Sequence, residues 1–171
     1  MPFLLKTCGS RFLNARRKTV NTLYVDRSIE MEASPKRVWD VLTRPEFTAR
    51  WAKEFGATGA IESDWSAGSE VRWRNANGEV YVRGNVVALV PQSLLKFTVC
   101  DVFNSGYRPT SGRAEDEITQ SYSLKGGPER TTLTTRHGDF ANLANGEKLF
   151  PLVGQLWDRL LPQFKALAEG I

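Results

Sequence analysis

Between Leu23 and Met31 the apolar residues Leu23, Val25, Ile29 and Met31 alternate with Tyr24, Asp26, Ser28 and Glu30. A period of two over this length predicts a half-buried strand. The period then changes. Ser34 stands where an N-cap is needed, and Pro35 follows at the first helical position, where a missing N–H costs nothing. Val38, Val41 and Leu42 fall at i, i+3 and i+4 with Trp39 beside them, which predicts a two-turn amphipathic helix closing at Thr43-Arg44. Pro45 opens a second short helix with Glu46 in its first turn and Phe47 and Trp51 on one face.

Beyond residue 55 the pattern returns to strands and turns. Residues 69–74 alternate, placing Val71 and Trp73 opposite Arg72 and Arg74, and "NANG" at 75–78 ends in a hairpin signal. Residues 79–90 read as a long strand in which Gly84 suggests a bend or bulge. Residues 94–103 read as one strand with Leu95, Phe97, Val99, Asp101 and Phe103 on one face, and 104–116 has loop composition. Ile118, Gln120, Tyr122 and Leu124 are in phase over 117–124, and Leu133, Thr135 and His137 over 130–140. Helical spacing then runs from Leu149 to Ala168, with Pro162 expected to kink it. The order is strand, two short helices, about six antiparallel strands and one long helix. An antiparallel sheet with one apolar face needs a cover, and the long helix supplies it. The two short helices, too short for a bundle, plug an end, with Trp39, Trp51 and Trp65 locking them to the sheet.

Four segments carry a family resemblance. They are "RSIEMEASPKRVWDVLTRPEFTARW" (27–51), "WSAGSEVRWR" (65–74), "GNVVALVPQSLLKFTV" (84–99) and "TTLTTRHGDF" (131–140). In order, they resemble the helix-grip fold of the START-like (SRPBCC) superfamily, and within it the activator of heat-shock-protein-90 ATPase homologue-like family. The resemblance covers about residues 22–170. It implies an α+β fold of START-like / Bet v 1-like plan: a curved antiparallel sheet of six to seven strands around one long C-terminal helix, with two short helices after strand 1. It further implies a deep apolar pocket between sheet and helix, in which members bind small hydrophobic molecules, lipids or polyketides among them, or catalyse reactions such as cyclisation. Eukaryotic members contact a chaperone. Bacterial members usually begin the terminal helix with a Gly-Trp pair, whereas here Gly154 and Trp157 are separated.

Composition sharpens this picture at one end of the chain. Residues 1–22 hold Lys6, Arg11, Arg16, Arg17 and Lys18 and no acid. Removing these five from the 23 Lys and Arg leaves 18 bases against 19 acids in residues 23–171, so the net charge of +4 is an N-terminal property. The chain divides accordingly into a basic tail, 1–22, and one domain, 23–171. The tail is expected to be a basic extension, with organelle targeting as the alternative; the domain is expected to be cytoplasmic. No basic stripe or zinc pattern supports a nucleic-acid partner. No apolar run reaches the ~20 residues of a transmembrane helix. Cys8 and Cys100 make neither a disulfide scaffold nor a metal site. No motif implies a cofactor.

Candidate chemistry centres on the single histidine. His137 is the one imidazole in the chain, with Asp139 two residues on, and Asp101 is in phase with Phe97 and Val99. These two, His137 and Asp101, are the catalytic candidates if any catalysis occurs. Arg83 and Gln120 on neighbouring strands are positioned to pair with Asp101. The expected ligand-binding set is Trp51, Phe55, Trp73, Tyr81, Arg83, Phe97, Asp101, Gln120, Tyr122, His137 and Trp157. Arg72, Arg74 and Lys53 form a basic patch or a solvated outer face. Three readings follow: a small-ligand carrier, a cyclase- or hydrolase-type enzyme using the same cavity, and a chaperone-binding module. A cavity below about 150 Å3 counts against the first two. The third requires an exposed apolar patch outside the pocket.

Overall fold

The computed structural model describes residues 21–101 and 107–171. The expectations for Phe103 and for all but the last residues of the basic tail therefore lie outside the described residues. Strand β1 (Val25–Met31) leads into helices α1 (Pro35–Thr43) and α2 (Pro45–Trp51), and a 3-10 turn, Ala52–Phe55, continues α2. Then come β2 (Glu70–Arg74), β3 (Val80–Val90), β4 (Leu94–Thr98), β5 (Cys100–Asp101), β6 (Thr119–Gly126), β7 (Thr131–Gly138) and α3 (Gly146–Glu169). The strands form one antiparallel sheet ordered β1-β7-β6-β4-β3-β2, with β5 also paired to β3. The α+β helix-grip architecture read from the sequence is the one observed.

Local chemistry explains the plug. The Ser34 hydroxyl accepts from the Arg37 N–H at 3.2 Å, and Pro35 opens α1. Val38, Val41 and Leu42 face inward. Trp51 donates its indole N–H to the Val41 carbonyl at 2.8 Å, and Trp65 donates to the Thr43 carbonyl at 2.9 Å. Trp51 also packs edge-on to Phe164 of α3 at 5.0 Å. Two of the three tryptophans thus tie the plug down through a hydrogen bond as well as apolar area. Trp39 is only half-buried.

Two strand expectations are corrected. Residues 94–103 are not one strand: the chain breaks at Val99, so β4 pairs with β6 and the outer half of β3, while β5 pairs with Val82 and Arg83. Gly84 sits at this change of partner and is not itself a bulge. A Cβ there would stand 1.7 Å from the Thr98 carbonyl oxygen, so close backbone approach is what demands glycine. The register shifts fall instead between Trp73 and Arg74 and between Val86 and Ala88. Helix α3 runs from Gly146 through both Pro151 and Pro162, so Pro162 removes a backbone donor without dividing the helix.

Candidate functional site

A cavity of about 90 Å3 lies between the sheet and α3. Trp157 lines it from α3, and Phe55 from the turn after α2. The sheet supplies Trp73, Tyr81, Val82, Asp101, Gln120, Tyr122 and His137; Val99 and Tyr107 complete the lining. Trp73, Gln120, Tyr122, His137 and Trp157 are buried and make the floor, whereas Phe55, Tyr81, Asp101 and Tyr107 are half-exposed and make the mouth. Register explains the grouping. Gln120 stands directly opposite His137 across β6 and β7, and Val82 opposite Asp101 across β3 and β5. In the β2–β3 pair, Trp73 opposes Val82 and Arg74 opposes Val80, leaving Tyr81 as the extra residue. A bulge re-aims the residue it inserts. That is how Tyr81 reaches the cavity and donates its hydroxyl to the Phe55 carbonyl at 2.7 Å.

The floor is apolar with a few polar atoms. Trp157 donates its indole N–H to His137 Nδ1 at 3.2 Å. The neutral ring therefore carries its proton on Nε2. Burial holds the imidazole neutral by pushing its pKa down to about 3. His137 Nε2, Trp73 Nε1 and Gln120 Oε1 are all buried without a hydrogen-bond partner among the described residues. The Gln120 amide is oriented by its own Nε2, which donates to the Ser121 carbonyl at 3.0 Å, leaving the oxygen as the unused end. Burial also pushes the Tyr122 hydroxyl well above its ordinary range. At the mouth, burial and then the Asp101 charge push Tyr81 and Tyr107 up to about 12.

Eight of the eleven ligand-site expectations line this cavity, and three do not. Arg83 is exposed and donates to Glu70 at 2.9 Å, since alternation beyond the Tyr81 bulge turns it outward. Trp51 is consumed by the plug. Phe97 is buried between Trp65 and Tyr122, at 6.1 and 6.2 Å between centroids. Of the two residues expected to pair with Asp101, Arg83 donates to Glu70 and Gln120 to the Ser121 carbonyl. Asp139 does not orient His137. It accepts from the Leu23 and Ala141 N–H groups, capping the turn at Phe140–Asn142. The basic patch is neutralised where it includes Arg72 and Arg74, which pair with Glu62 and Glu70. Val82, Val99 and Tyr107 are lining residues beyond the expected set. Val99 is in phase with Phe97, Val82 is hidden by the bulge, and Tyr107 lies in a segment without periodicity. Among the described residues no group of three His, Cys, Asp or Glu is placed to hold a metal ion. A wider hollow of about 530 Å3 lies elsewhere, beside Leu23, Asn145 and Lys148.

Solved structures resemble this fold at low identity. Protein MLL2253 from Mesorhizobium loti superposes with a TM-score of 0.64 at 16% identity, covering 84% of this chain and 95% of that one. The Aha1 dimer from Colwellia psychrerythraea gives 0.62 at 18%, covering 85% and 96%. DynU16, a protein in the dynemicin biosynthetic locus, gives 0.64 at 21%, covering 86% of this chain and 48% of its own. No curated protein matches. The model of the family described as Activator of Hsp90 ATPase homolog 1-like protein matches residues 32–169, and the chain belongs to that family.

Proposed function

We propose that the chain is a binding protein for a small, compact ligand held between the sheet and α3. The observation that carries this reading is the set of three buried polar atoms, without partners among the described residues, on residues lining one cavity. An unsatisfied buried donor or acceptor costs about 1–3 kcal/mol, and a ligand supplying the missing bonds recovers that cost. The size of the cavity counts against both the carrier and the enzyme readings in their expected form, with a lipid- or polyketide-sized cargo. Its 90 Å3 is below the ~150 Å3 under which both were expected to lose support, and below the ~150 Å3 of an engineered cavity that takes up benzene. The three unpartnered atoms still support a smaller ligand. The ligand is therefore of a few heavy atoms, or a small group at the end of a larger molecule.

An acid–base enzyme is less well supported. His137 Nδ1 already accepts from Trp157, and burial pushes the ring's pKa down to about 3, which makes it a weak base at neutral pH. The chaperone-binding reading draws support from the family description. Among the described residues the exposed large apolar side chains, Val87, Val90, Leu152 and Ile171, are spread over β3, α3 and the C-terminus rather than confined to one element. No helix among the described residues is long and apolar enough to cross a membrane. The proposal keeps the chain in the cytoplasm.

Native mass spectrometry of the protein from its own host, with a thermal-shift screen of small polar-headed molecules, tests the reading. A low-mass adduct or a reproducible upward shift is expected. Absence of both across the panel overturns it.

A further inference from the structure

Resting on the small-ligand reading, we infer that the cavity recognises an amide-like group, meaning a carbonyl with an N–H beside it, and discriminates against carboxylates. Among the described residues, the fully buried polar atoms of its lining residues without a hydrogen-bond partner are two donors, His137 Nε2–H and Trp73 Nε1–H, and one acceptor, Gln120 Oε1. A carbonyl oxygen has two lone pairs and meets two donors, and an adjacent N–H meets one acceptor. A ketone satisfies the donors and leaves Gln120 Oε1 unpaired. A carboxylate leaves it unpaired too and brings a charge into an apolar site.

The roles of the three atoms are fixed by neighbours rather than free to invert. Trp157 occupies His137 Nδ1, so the ring offers a donor to the site. The Ser121 carbonyl occupies Gln120 Nε2, so the amide offers its oxygen. An indole N–H only donates. Gln120 and His137 are directly opposed on adjacent strands, so the acceptor and the donor are carried by neighbouring positions of the cavity wall. Trp157 is thus a positioning residue for specificity: it sets which tautomer His137 presents.

The cavity volume selects the probes. Acetamide, acetone and acetate share shape and heavy-atom count and differ only in the groups at issue. Each is titrated into 15N-labelled full-length protein, following the Trp73 indole N–H and the His137 ring nitrogens by NMR. Acetamide is expected to shift both and to bind about fivefold more tightly than acetone, the worth of one added hydrogen bond, while acetate leaves both unmoved. Gln120→Leu is expected to bring acetamide down to the affinity of acetone, and Gln120→Met repeats the comparison if the leucine variant misfolds. His137 is expected as the neutral Nε2–H form, and Trp157→Phe to shift the ring toward the other tautomer. Equal affinities for acetamide and acetone overturn the amide inference and leave the small-ligand reading standing. No response to either probe overturns both. An imidazolium or an Nδ1–H ring at neutral pH overturns the assignment of donors.

Discussion

His137 joins the cavity chemistry to a bulk property that can be measured. Burial holds it neutral in the fold with a pKa of about 3, against about 6.5 when unfolded. As pH falls below 6.5 the unfolded chain takes up a proton that the folded chain refuses, so stability drops by up to about 1.4 kcal/mol per unit. The loss is absent above the unfolded value and saturates below the folded one. Since this is the one histidine in the chain, the window from pH 6.5 to 5 reports it alone. The lowered carboxylates Glu62, Asp116, Asp158 and Glu169 add their own losses only at lower pH. Urea midpoints measured across that window are expected to fall in the natural chain and to stay flat in His137→Gln; a slope that survives the substitution refutes the assignment. That His137 belongs to an inward face was legible from its phase with Leu133 and Thr135. Its partner was not, because Trp157 is 20 residues away on another element, and nothing in a strand pattern says which helix residue will lie above it.

At the scale of elements, α1 is tied to the end of α3 by one side chain. Arg37 of α1 donates to the Ala168 and Leu167 carbonyls, at 3.2 and 2.8 Å, at the C-terminal end of α3, where carbonyls lack helical partners. Its guanidinium also lies 4.6 Å from the Phe47 ring centre. Arg37→Ala is expected to cost about 2 kcal/mol by chemical denaturation, and Arg37→Lys to recover less than half of it, since an ammonium cannot make the forked contact. Gly84→Ala is expected to cost more, about 3 kcal/mol, because its Cβ meets backbone that cannot swing aside; a cost under about 1 kcal/mol in a urea melt refutes that reading. Elements with strong local signals, the Ser34-Pro35 cap and the Asn77-Gly78 turn, could be read from the sequence. The division of 94–101 into β4 and β5 could not. Alternation continues across Val99, and only pairing with two different partners interrupts it.

For the whole molecule the central question is why a grip architecture encloses so little space. Aromatic side chains answer it. Phe55 packs on Trp51, Trp73 and Trp157 with centroids 6.3, 5.1 and 5.7 Å apart, and Tyr122 lies 6.0 Å from Trp157. Rings from plug, sheet and α3 thus fill the volume that the fold alone would leave open. A carrier with a preformed cavity and a small-ligand binder with a packed one differ in what truncation does. Phe55→Ala removes a half-buried ring at the mouth, where water already reaches part of its surface. Its cost is expected to be about 2 kcal/mol, short of the ~3–5 kcal/mol typical of a fully buried phenylalanine. Vacating that ring enlarges the cavity, so the variant is expected to bind a bulky apolar fluorophore that the natural chain excludes. Fluorescence titration alongside a denaturation curve separates this from simple loosening. If the natural chain binds the fluorophore equally well while fully folded, the cavity already opens to large ligands and the size argument fails. If the variant binds it only where the denaturation curve has begun to fall, the ring was holding the fold rather than filling a site.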